Sequence, residues 1–243
     1  MNDSPLIEAR GLGVLYGRKR AVDDVSFAVA KGRVVGLLGH NGAGKTSLMK
    51  ALVGLAPCTG SLSVLGLRPR HDRVRLLESL CYIPDVAILP RWARVHQLIR
   101  LMQGLHPRFS AARAESLLAR TSVGLDDKVK TLSKGMVVQL HLALIAAIDA
   151  RVMVLDEPTL GLDVMAARAI VQFVRQCRDR GKTVIYSTHV MSEIDKLCDT
   201  VGILHEGRLL VEGTLQQLRA QFGETDTEEI FVRAVTNGGR AEA

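Results

Sequence analysis

The feature of this sequence that most constrains its fold is a glycine-rich segment between an apolar run and a helical pattern. Residues 39–46 read Gly-His-Asn-Gly-Ala-Gly-Lys-Thr, which matches the pattern G-x-x-x-x-G-K-[ST]. The apolar run Val34 to Leu38 precedes it, and apolar residues at helical spacing follow from Lys45 to Leu55. In such a strand–loop–helix unit, backbone N–H groups and a helix N-terminus converge on one point. The pattern therefore predicts a phosphate-binding loop, or P-loop.

The residue types within this loop fit the binding of a nucleoside triphosphate. A Cβ atom at Gly42 or Gly44 would obstruct the approach of phosphate oxygens to the backbone. Lys45 is placed to reach the β- and γ-phosphates, and the Thr46 hydroxyl to ligate Mg²⁺. The alternative is an incidental glycine-rich turn, which the usual glycine content produces in roughly one chain of this length in a hundred. The predicted nucleotide-binding residues are Gly39, His40, Asn41, Gly42, Ala43, Gly44, Lys45, Thr46 and Ser47.

Strand-like and helix-like segments alternate through much of the chain. Short apolar runs recur at Val152 to Leu155 and at Thr183 to Ser187, as expected for strands of a buried parallel sheet. Each is followed by a segment with helical periodicity, at Val164 to Cys177 and Val190 to Leu197. This alternation predicts an α/β fold with a mostly parallel sheet.

Two regions depart from the alternation. The first 30 residues read as short β segments separated by turns, which indicates an antiparallel β subdomain at the N-terminus. The middle of the chain reads as almost entirely helical, with patterns at Val95 to Leu105, Ala111 to Thr121 and Lys134 to Ile148. We therefore expect a P-loop NTPase core in one domain, residues 1–236, with an α-helical subdomain inserted at about 86–148. Residues 237–243 have little apolar content and are expected to form a disordered tail.

Acidic and imidazole side chains follow two of the predicted strands. Asp156 and Glu157 end one strand and should diverge, because side chains alternate along a strand. Asp156 is suited to hold Mg²⁺ through a water molecule, and Glu157 to orient or deprotonate a water that attacks the γ-phosphorus. His189 ends the next strand, at the edge where open α/β sheets bind ligands, and is suited to sense the γ-phosphate. Glu157, His189 and Lys45 are thus the predicted catalytic residues. Alone, the acidic pair would more often be a solvated loop.

Composition excludes some classes of protein and leaves others open. The longest apolar stretch, Leu142 to Ile148, is far shorter than a membrane-spanning helix of about 18 residues. The N-terminus has no basic segment followed by an apolar one, so we expect no signal peptide. Four scattered cysteines indicate free thiols in a reducing cytoplasm. The net charge of +7 permits contact with nucleic acid or an anionic membrane but demonstrates neither.

Arginine-rich stretches lie before and within the predicted helical insert. We interpret these arginines as part of a solvent-exposed face. The alternative is that they lie close to lipid headgroups or to a membrane partner. Apart from Trp92, aromatic residues that would stack on bases are missing there, which weakens a nucleic-acid interpretation. The stretches comprise Arg68, Arg70, Arg73, Arg75, Arg91, Arg94 and Arg100.

Together these motifs resemble those of the ATP-binding subunits of ABC transporters, over nearly the whole chain. Residues 132–136, Leu-Ser-Lys-Gly-Met, are similar to the family's signature, commonly LSGGQ. Residues 161–163 resemble its D-loop, and His189 its switch histidine. Tyr16 falls where this family stacks an aromatic ring on adenine, although a strand-end tyrosine is the plain alternative.

The resemblance implies a mechanism for the chain. Two copies, or this chain and a paralogous subunit, would close head to tail over two ATP molecules with Mg²⁺. Ser133 and Gly135, at the start of a helix, would cap the γ-phosphate held by the partner's P-loop. Hydrolysis would then drive an integral membrane permease, with the chain cytoplasmic and peripheral on the inner face of the cell membrane. No nucleic-acid partner is expected.

Two departures from the family pattern bear on these expectations. Asp85 stands where the family usually has glutamine, so it is either a Mg²⁺ ligand or only a hinge facing the permease. Lys134 and Met136 replace the first glycine and the glutamine of the signature. The Ser-Lys-Gly-Met form, the acidic residue at 85 and the segment Glu228 to Arg233 resemble the branch of ABC-2 type exporters.

Two other classes of protein remain as alternatives. A soluble ABC-type ATPase acting on nucleic acid or ribosomes normally has two nucleotide domains, long coiled-coil inserts or zinc motifs, which this sequence lacks. A P-loop kinase has no use for the signature or the switch histidine, and a GTPase would carry an N-K-x-D motif. The transported substrate, the permease and the choice between homodimer and heterodimer are not specified by the sequence.

Overall fold

The computed structural model of the chain describes residues 5–84 and 89–238. Within these residues a six-stranded sheet forms the centre of the molecule. The first five strands in the spatial order are parallel, and the last is antiparallel to its neighbour. In spatial order the strands are Leu80–Ile83 (β5), Val152–Asp156 (β6), Thr183–Thr188 (β7), Val34–Leu38 (β3), Thr200–His205 (β8) and Arg208–Gly213 (β9).

The central strands are buried on both faces, as their continuous apolar sequences predict. Along β6, Val152 and Val154 pack in one hydrophobic cluster, and Met153 and Leu155 in another on the opposite face. This alternation follows from the two-residue repeat of a strand. A sheet covered on both faces explains why the strand sequences are not amphipathic.

A second, three-stranded antiparallel sheet contains the N-terminal region. Its spatial order is Lys19–Val29 (β2), Ile7–Tyr16 (β1) and Thr59–Val64 (β4). The antiparallel sheet expected from the first 30 residues is therefore confirmed. Its third strand, β4, follows the P-loop helix in the chain, and no local sequence pattern predicts its pairing with β1 because the two segments are distant.

The helices surround the central sheet, and their observed bounds are close to those predicted. The helical patterns at 95–105, 111–121 and 134–148 correspond to the helices Val95–Leu105 (α3), Ala111–Leu118 (α4) and Lys134–Ala146 (α5), of which the two later ones end three and two residues earlier than expected. In chain order the helices of the described residues are Lys45–Leu52 (α1), Arg73–Leu77 (α2), Val95–Leu105 (α3), Ala111–Leu118 (α4), Lys134–Ala146 (α5), Val164–Asp179 (α6), Met191–Leu197 (α7), Leu215–Phe222 (α8) and Thr227–Thr236 (α9), with a short 3-10 helix at Val129–Thr131.

Side chains cap the N-termini of several of these helices. The hydroxyl of Ser133 accepts a hydrogen bond from the backbone of Met136 at the start of α5, and Asp163 accepts two at the start of α6. Such caps satisfy amide groups that a helix leaves unpaired.

The domain limits 1–236 and 86–148 stay predictions, and residues 239–243 of the expected tail lie outside the described residues.

Among the described residues, no helix combines the length and apolar character needed to cross a membrane.

All four cysteines are unpaired, and Cys177 is buried. Burial raises the pKa of the Cys81 thiol to about 12 and that of Cys177 to about 11. These thiols therefore stay protonated at neutral pH, and the expectation of free thiols agrees with the four unpaired cysteines.

Candidate functional site

The P-loop lines a cavity of about 570 Å³ at the carboxyl end of β3, which we call the P-loop cavity. Gly39 and Ala43 of the predicted set are not part of its lining; Ala43 is buried, and its carbonyl accepts a hydrogen bond from Gly207 at 2.9 Å. The sequence-predicted residues that do line the cavity are Tyr16, His40, Asn41, Gly42, Gly44, Lys45, Thr46, Ser47 and Glu157.

The glycines of the loop are required for two different reasons. Gly44 begins α1 at φ +108°, and a Cβ atom there would lie 2.4 Å from the carbonyl oxygen of Ala21. Gly42 also has a positive φ, +87°, but a Cβ atom there would meet no protein atom within 4 Å. Within the protein itself, Gly42 is therefore required for its left-handed backbone, and Gly44 for both backbone and space.

The Lys45 side chain is almost completely buried beneath the loop. Its Nζ donates to the carbonyl oxygens of Gly39 at 2.5 Å and His40 at 3.2 Å. It also lies 2.9 Å from Glu157 Oε1, an ionic contact without the direction of a hydrogen bond. The ammonium group thus connects the P-loop to the end of β6.

Glu157 lies at the point where the P-loop, β6 and β7 meet. Its second carboxylate oxygen, Oε2, is 2.8 Å from Nδ1 of His189. The residue has φ +47°, a left-handed conformation that a glutamate adopts only under constraint. Its backbone N–H supplies part of that constraint, because it donates to the Ser187 carbonyl at 3.2 Å and hydroxyl at 3.0 Å. The carboxylate is therefore held between a lysine and a histidine.

Asp156 occupies a separate environment from its neighbour. Its side chain is fully buried, and Oδ1 accepts a hydrogen bond of 2.7 Å from the Ser187 hydroxyl. The Tyr82 hydroxyl lies 3.4 Å from Oδ2. The carboxylate does not line the P-loop cavity, so it lies behind the surface that a phosphate group would touch.

The residues expected to bind metal offer a small set of oxygen ligands. Within residues 5–84 and 89–238, no three His, Cys, Asp or Glu side chains are grouped so that they could hold a metal ion. Of the candidate ligands, Thr46 lines the P-loop cavity, and the Asp156 carboxylate lies behind its surface. Few protein oxygens beside a phosphate site fit Mg²⁺, which keeps waters and takes ligands from substrate phosphates. Asp85, the third candidate ligand, lies outside the described residues.

The signature-like segment lies apart from this cavity. Neither Ser133 nor Gly135 lines the P-loop cavity, and Ser133 is exposed at the N-terminus of α5. Gly135 instead lines a different cavity, of about 420 Å³, together with Asp163 and Met165 at the start of α6. The chain thus does not bring its own signature to its own P-loop.

Several site residues were not predicted from the sequence. Ser187 contacts both Asp156 and the backbone of Glu157, and its position just before Thr188 and His189 was a signal that could have identified it. Arg20 and Glu206 line the P-loop cavity because β1–β2 and β8–β9 reach it from distant parts of the chain. The rings of His40 and His205 also meet there edge to face, with centroids 5.0 Å apart.

Comparison with known proteins identifies the family. Residues 22–160, more than half of the chain, match the model of the ABC transporter family. The chain belongs to the ABC transporter family. The match spans the P-loop, the signature-like segment and Asp156–Glu157, so the resemblance found in the sequence is confirmed.

Named members of the ABC transporter family are similar over most of this chain. The Nod factor export ATP-binding protein I of Mesorhizobium japonicum is 36% identical over 224 residues, which cover 87% of this chain and 64% of that protein. The linearmycin resistance ATP-binding protein LnrL of Bacillus subtilis is 31% identical, covering 95% of this chain and 76% of that protein. The chain spans a little under two thirds of the length of the first curated relatives that it matches.

A solved ABC transporter structure confirms the fold. The structure described as an ATP-binding subunit of an ABC transporter superposes with a TM-score of 0.86 at 29% sequence identity. The alignment covers 95% of this chain and 99% of that one. The P-loop NTPase core with an antiparallel sheet and helices, expected from the sequence, is therefore the fold of this ABC transporter-family chain.

Proposed function

We propose that the chain is the ATP-binding and ATP-hydrolysing subunit of an ABC-2 type exporter, and that it works as a head-to-tail pair beneath a separate membrane permease. The observation that carries this proposal is the placement of Glu157, whose two carboxylate oxygens face Lys45 and His189 beside the P-loop cavity. A carboxylate between a phosphate-binding lysine and a histidine suits hydrolysis better than nucleotide storage.

ATP binding is assigned to the P-loop cavity. The backbone amides of the loop and the N-terminus of α1 attract the phosphate groups. Lys45 Nζ, which lies beneath the loop beside Glu157, is assigned to the β- and γ-phosphates. Tyr16 is 46% exposed and lines the same cavity, which leaves its ring free to stack on adenine.

Magnesium is assigned to Thr46 and, through water, to Asp156. When bound, the ion neutralises phosphate charge during hydrolysis. The Ser187 hydroxyl orients the Asp156 carboxylate for this role, because it donates to Oδ1. Asp85 is retained as a third candidate, either as a ligand or as a hinge.

Hydrolysis is assigned to Glu157 and His189. Glu157 accepts a proton from a water molecule as the water oxygen forms a bond to the γ-phosphorus. The bond between the γ-phosphorus and the bridging oxygen breaks, and its electron pair leaves with ADP. His189 contacts Glu157 through Nδ1, and the rest of its half-exposed ring is assigned to sensing the γ-phosphate.

The second half of each site is assigned to a partner subunit. Because Ser133 and Gly135 lie apart from the P-loop cavity, they can complete an enclosure only around another subunit's nucleotide. The exposed N-terminus of α5 suits an anionic phosphate, because the positive end of a helix attracts negative charge. Leu160, Val164 and Met165, beside the D-loop-like turn, are 52%, 82% and 73% exposed. Such a group of exposed apolar side chains supports a protein-contacting face.

Export and the membrane partner are supported by the names of the relatives. The Mesorhizobium japonicum relative is named for Nod factor export and the Bacillus subtilis relative for linearmycin resistance. We propose that a permease receives the force of dimer closure and that the subunit lies on the inner face of the cell membrane. The transported substrate is not assigned, since the permease would recognise it.

The test uses the Glu157→Gln variant, which keeps the shape of the site but cannot accept the proton. With Mg²⁺ and saturating ATP, this variant is expected to dimerise while its ATP turnover is abolished. Sedimentation velocity and phosphate release measure the two properties. Lys45→Ala is the control, since it should bind no ATP and remain a monomer. A Glu157→Gln protein that stays monomeric at saturating ATP contradicts the head-to-tail pair, and undiminished turnover contradicts the general base.

A further inference from the structure

Glu193 is a buried carboxylate that the proposed hydrolysis does not use. It lies in the first turn of α7 and is 9% exposed. Its Oε2 accepts two hydrogen bonds, one from the Tyr186 hydroxyl at 2.9 Å and one from the Thr188 hydroxyl at 2.8 Å. It forms no ion pair with any cation in the part of the chain that the structure describes. Burying a carboxylate without an ion-pair partner costs free energy of folding, which the two hydrogen bonds from hydroxyl groups offset in part. The cost indicates that this carboxylate has a role beyond packing.

The two donors lie on one face of β7, directly before His189. Tyr186 and Thr188 are both fully buried and point to the face opposite Ser187. On the other face, the Ser187 hydroxyl donates a hydrogen bond to Asp156. The hydroxyl and carbonyl oxygens of Ser187 both accept a hydrogen bond from the backbone N–H of Glu157. The end of β7 is therefore fixed on both faces, by Ser187 towards β6 and by Glu193 towards α7.

The bonds of Glu193 extend into the turn that carries His189. The Thr188 hydroxyl that donates to Glu193 also accepts from the backbone N–H of Val190 at 3.0 Å. The backbone N–H of Glu193 in turn donates to the Val190 carbonyl at 3.1 Å. His189 is thus enclosed by a ring of hydrogen bonds from the residues on either side of it, and the carboxylate sets the direction of the Thr188 hydroxyl.

Tyr186 extends this network towards the loop that follows Glu157. Burial, together with the Glu193 carboxylate, raises the pKa of the Tyr186 phenol, and the Thr159 hydroxyl beside the same oxygen opposes that rise. Thr159 belongs to the turn closed by the hydrogen bond of 3.0 Å from Leu160 N–H to the Glu157 carbonyl. Tyr186 therefore stands between the loop after Glu157 and the turn of His189.

We propose that Glu193 is a positioning residue that, through Thr188 and Tyr186, holds the His189 imidazole against Glu157. Loss of the carboxylate frees the Thr188 hydroxyl and the Val190 amide, and the His189 ring then samples other orientations. Proton transfer from the attacking water becomes slower because Glu157 loses its fixed partner. ATP binding is retained, since Glu193, Thr188 and Tyr186 do not line the P-loop cavity. The kinetic part of this inference rests on the proposed ATPase function, and the structural part does not.

The structural part is tested by NMR of the imidazole nitrogens in full-length protein labelled at histidine, with His189→Gln to assign the signal. The wild type should show one His189 species with Nδ1 protonated. Glu193→Met should give a broadened or tautomer-averaged signal, and Glu193→Gln, whose amide oxygen still accepts, should restore the wild-type signal. Thr188→Val provides the same test without touching the carboxylate. An unchanged His189 signal in both Glu193→Met and Thr188→Val overturns the proposal.

The kinetic part is tested by ATP turnover of the same variants. Glu193→Met should lower kcat at least tenfold with KM for ATP within twofold of wild type, and Glu193→Gln should return kcat to within threefold. Glu229→Met, the same substitution on the exposed face of α9, is the matched control and should leave kcat unchanged. Equal loss of kcat in Glu193→Gln and Glu193→Met overturns the role of the acceptor. A wild type without turnover contradicts the proposed function, and the NMR result still decides the role of Glu193.

Discussion

Nδ1 of His189 and Oε2 of Glu157 lie 2.8 Å apart, and this contact joins the ends of two neighbouring strands, β7 and β6. The other oxygen of the same carboxylate faces Lys45 Nζ at 2.9 Å. The carboxylate therefore links three segments that are far apart in the sequence, its own and those of Lys45 and His189. A change in any one of the three alters the position or the charge environment of Glu157.

Replacement of His189 by alanine should separate hydrolysis from binding. We expect ATP turnover to fall by about 10²-fold, the contribution typical of a positioned acid–base or orienting group. The affinity for ATP should change little, because Tyr16, Lys45 and the loop residues that line the P-loop cavity are left unchanged. Phosphate release and the fluorescence of a labelled ATP analogue measure the two quantities. Unchanged turnover would show that the contact with Glu157 has no role in hydrolysis.

Replacement of Ser187 by alanine should weaken the stability and the activity together. The substitution removes the donor to Asp156 Oδ1 and one acceptor of the Glu157 N–H, both in a buried site. A lost buried hydrogen bond of this kind costs about 1–3 kcal/mol of unfolding free energy. Urea denaturation measures the loss, with Ser26→Ala as a control that removes an exposed bond to Gly11. Equal effects of the two variants would contradict the role of the buried network.

Replacement of Gly44 by alanine should prevent ATP binding and destabilise the fold. The new Cβ atom would lie 2.4 Å from the Ala21 carbonyl oxygen, on a backbone with φ +108°. Backbone strain alone costs about 1–3 kcal/mol, and the clash adds to it. Gly66→Ala is the matched control, because its φ is +74° but nothing lies within 4 Å. Chemical denaturation and ATP binding should therefore show the smaller effect in Gly66→Ala, and a reversed order would exclude the steric argument.

The stability of the chain should fall in mildly acidic solution in a manner that depends on His141. Burial lowers the pKa of this imidazole below its usual 6.5, so the unfolded chain binds the proton more readily than the folded chain. The contribution to stability is complete above pH 6.5 and is lost as the pH falls through the lowered folded-state pKa, at up to about 1.4 kcal/mol per pH unit for one proton. His141→Leu should reduce the difference between unfolding free energies at pH 7.5 and 5.5. An identical difference in both proteins would refute this assignment.

The sequence predicted local structure accurately where one segment determines its own conformation. The strand Val34–Leu38 and the helix Val95–Leu105 have the bounds that their apolar patterns predict. The other predicted helices differ by a few residues, because helix ends depend on caps and on packing. The pairing of β4 with β1, in contrast, joins residues separated by the whole P-loop unit, and no local pattern encodes it.

The candidate site shows the same division. The P-loop pattern pointed to Lys45 and the strand ends to Glu157 and His189, because each follows from a local pattern of strand, loop and helix, and the structure brings the three side chains together. Sequence patterns did not reveal that Glu157 would bridge the other two, nor that Ser187 would hold Asp156. Those contacts depend on β7 lying between β6 and β3, which is a property of the sheet order.

By itself the sequence determined the family, the phosphate-binding loop and the chemical types of the site residues, since glycine, lysine, carboxylate and imidazole groups recur at fixed positions around a strand and a helix. Only the tertiary structure decided which of these groups touch one another and which, such as Ser133 and Gly135, lie apart. The physical reason is that periodicity and turn chemistry act over a few neighbouring residues. The contacts of a buried carboxylate are instead set by strand order and by the packing of helices on both faces of the sheet.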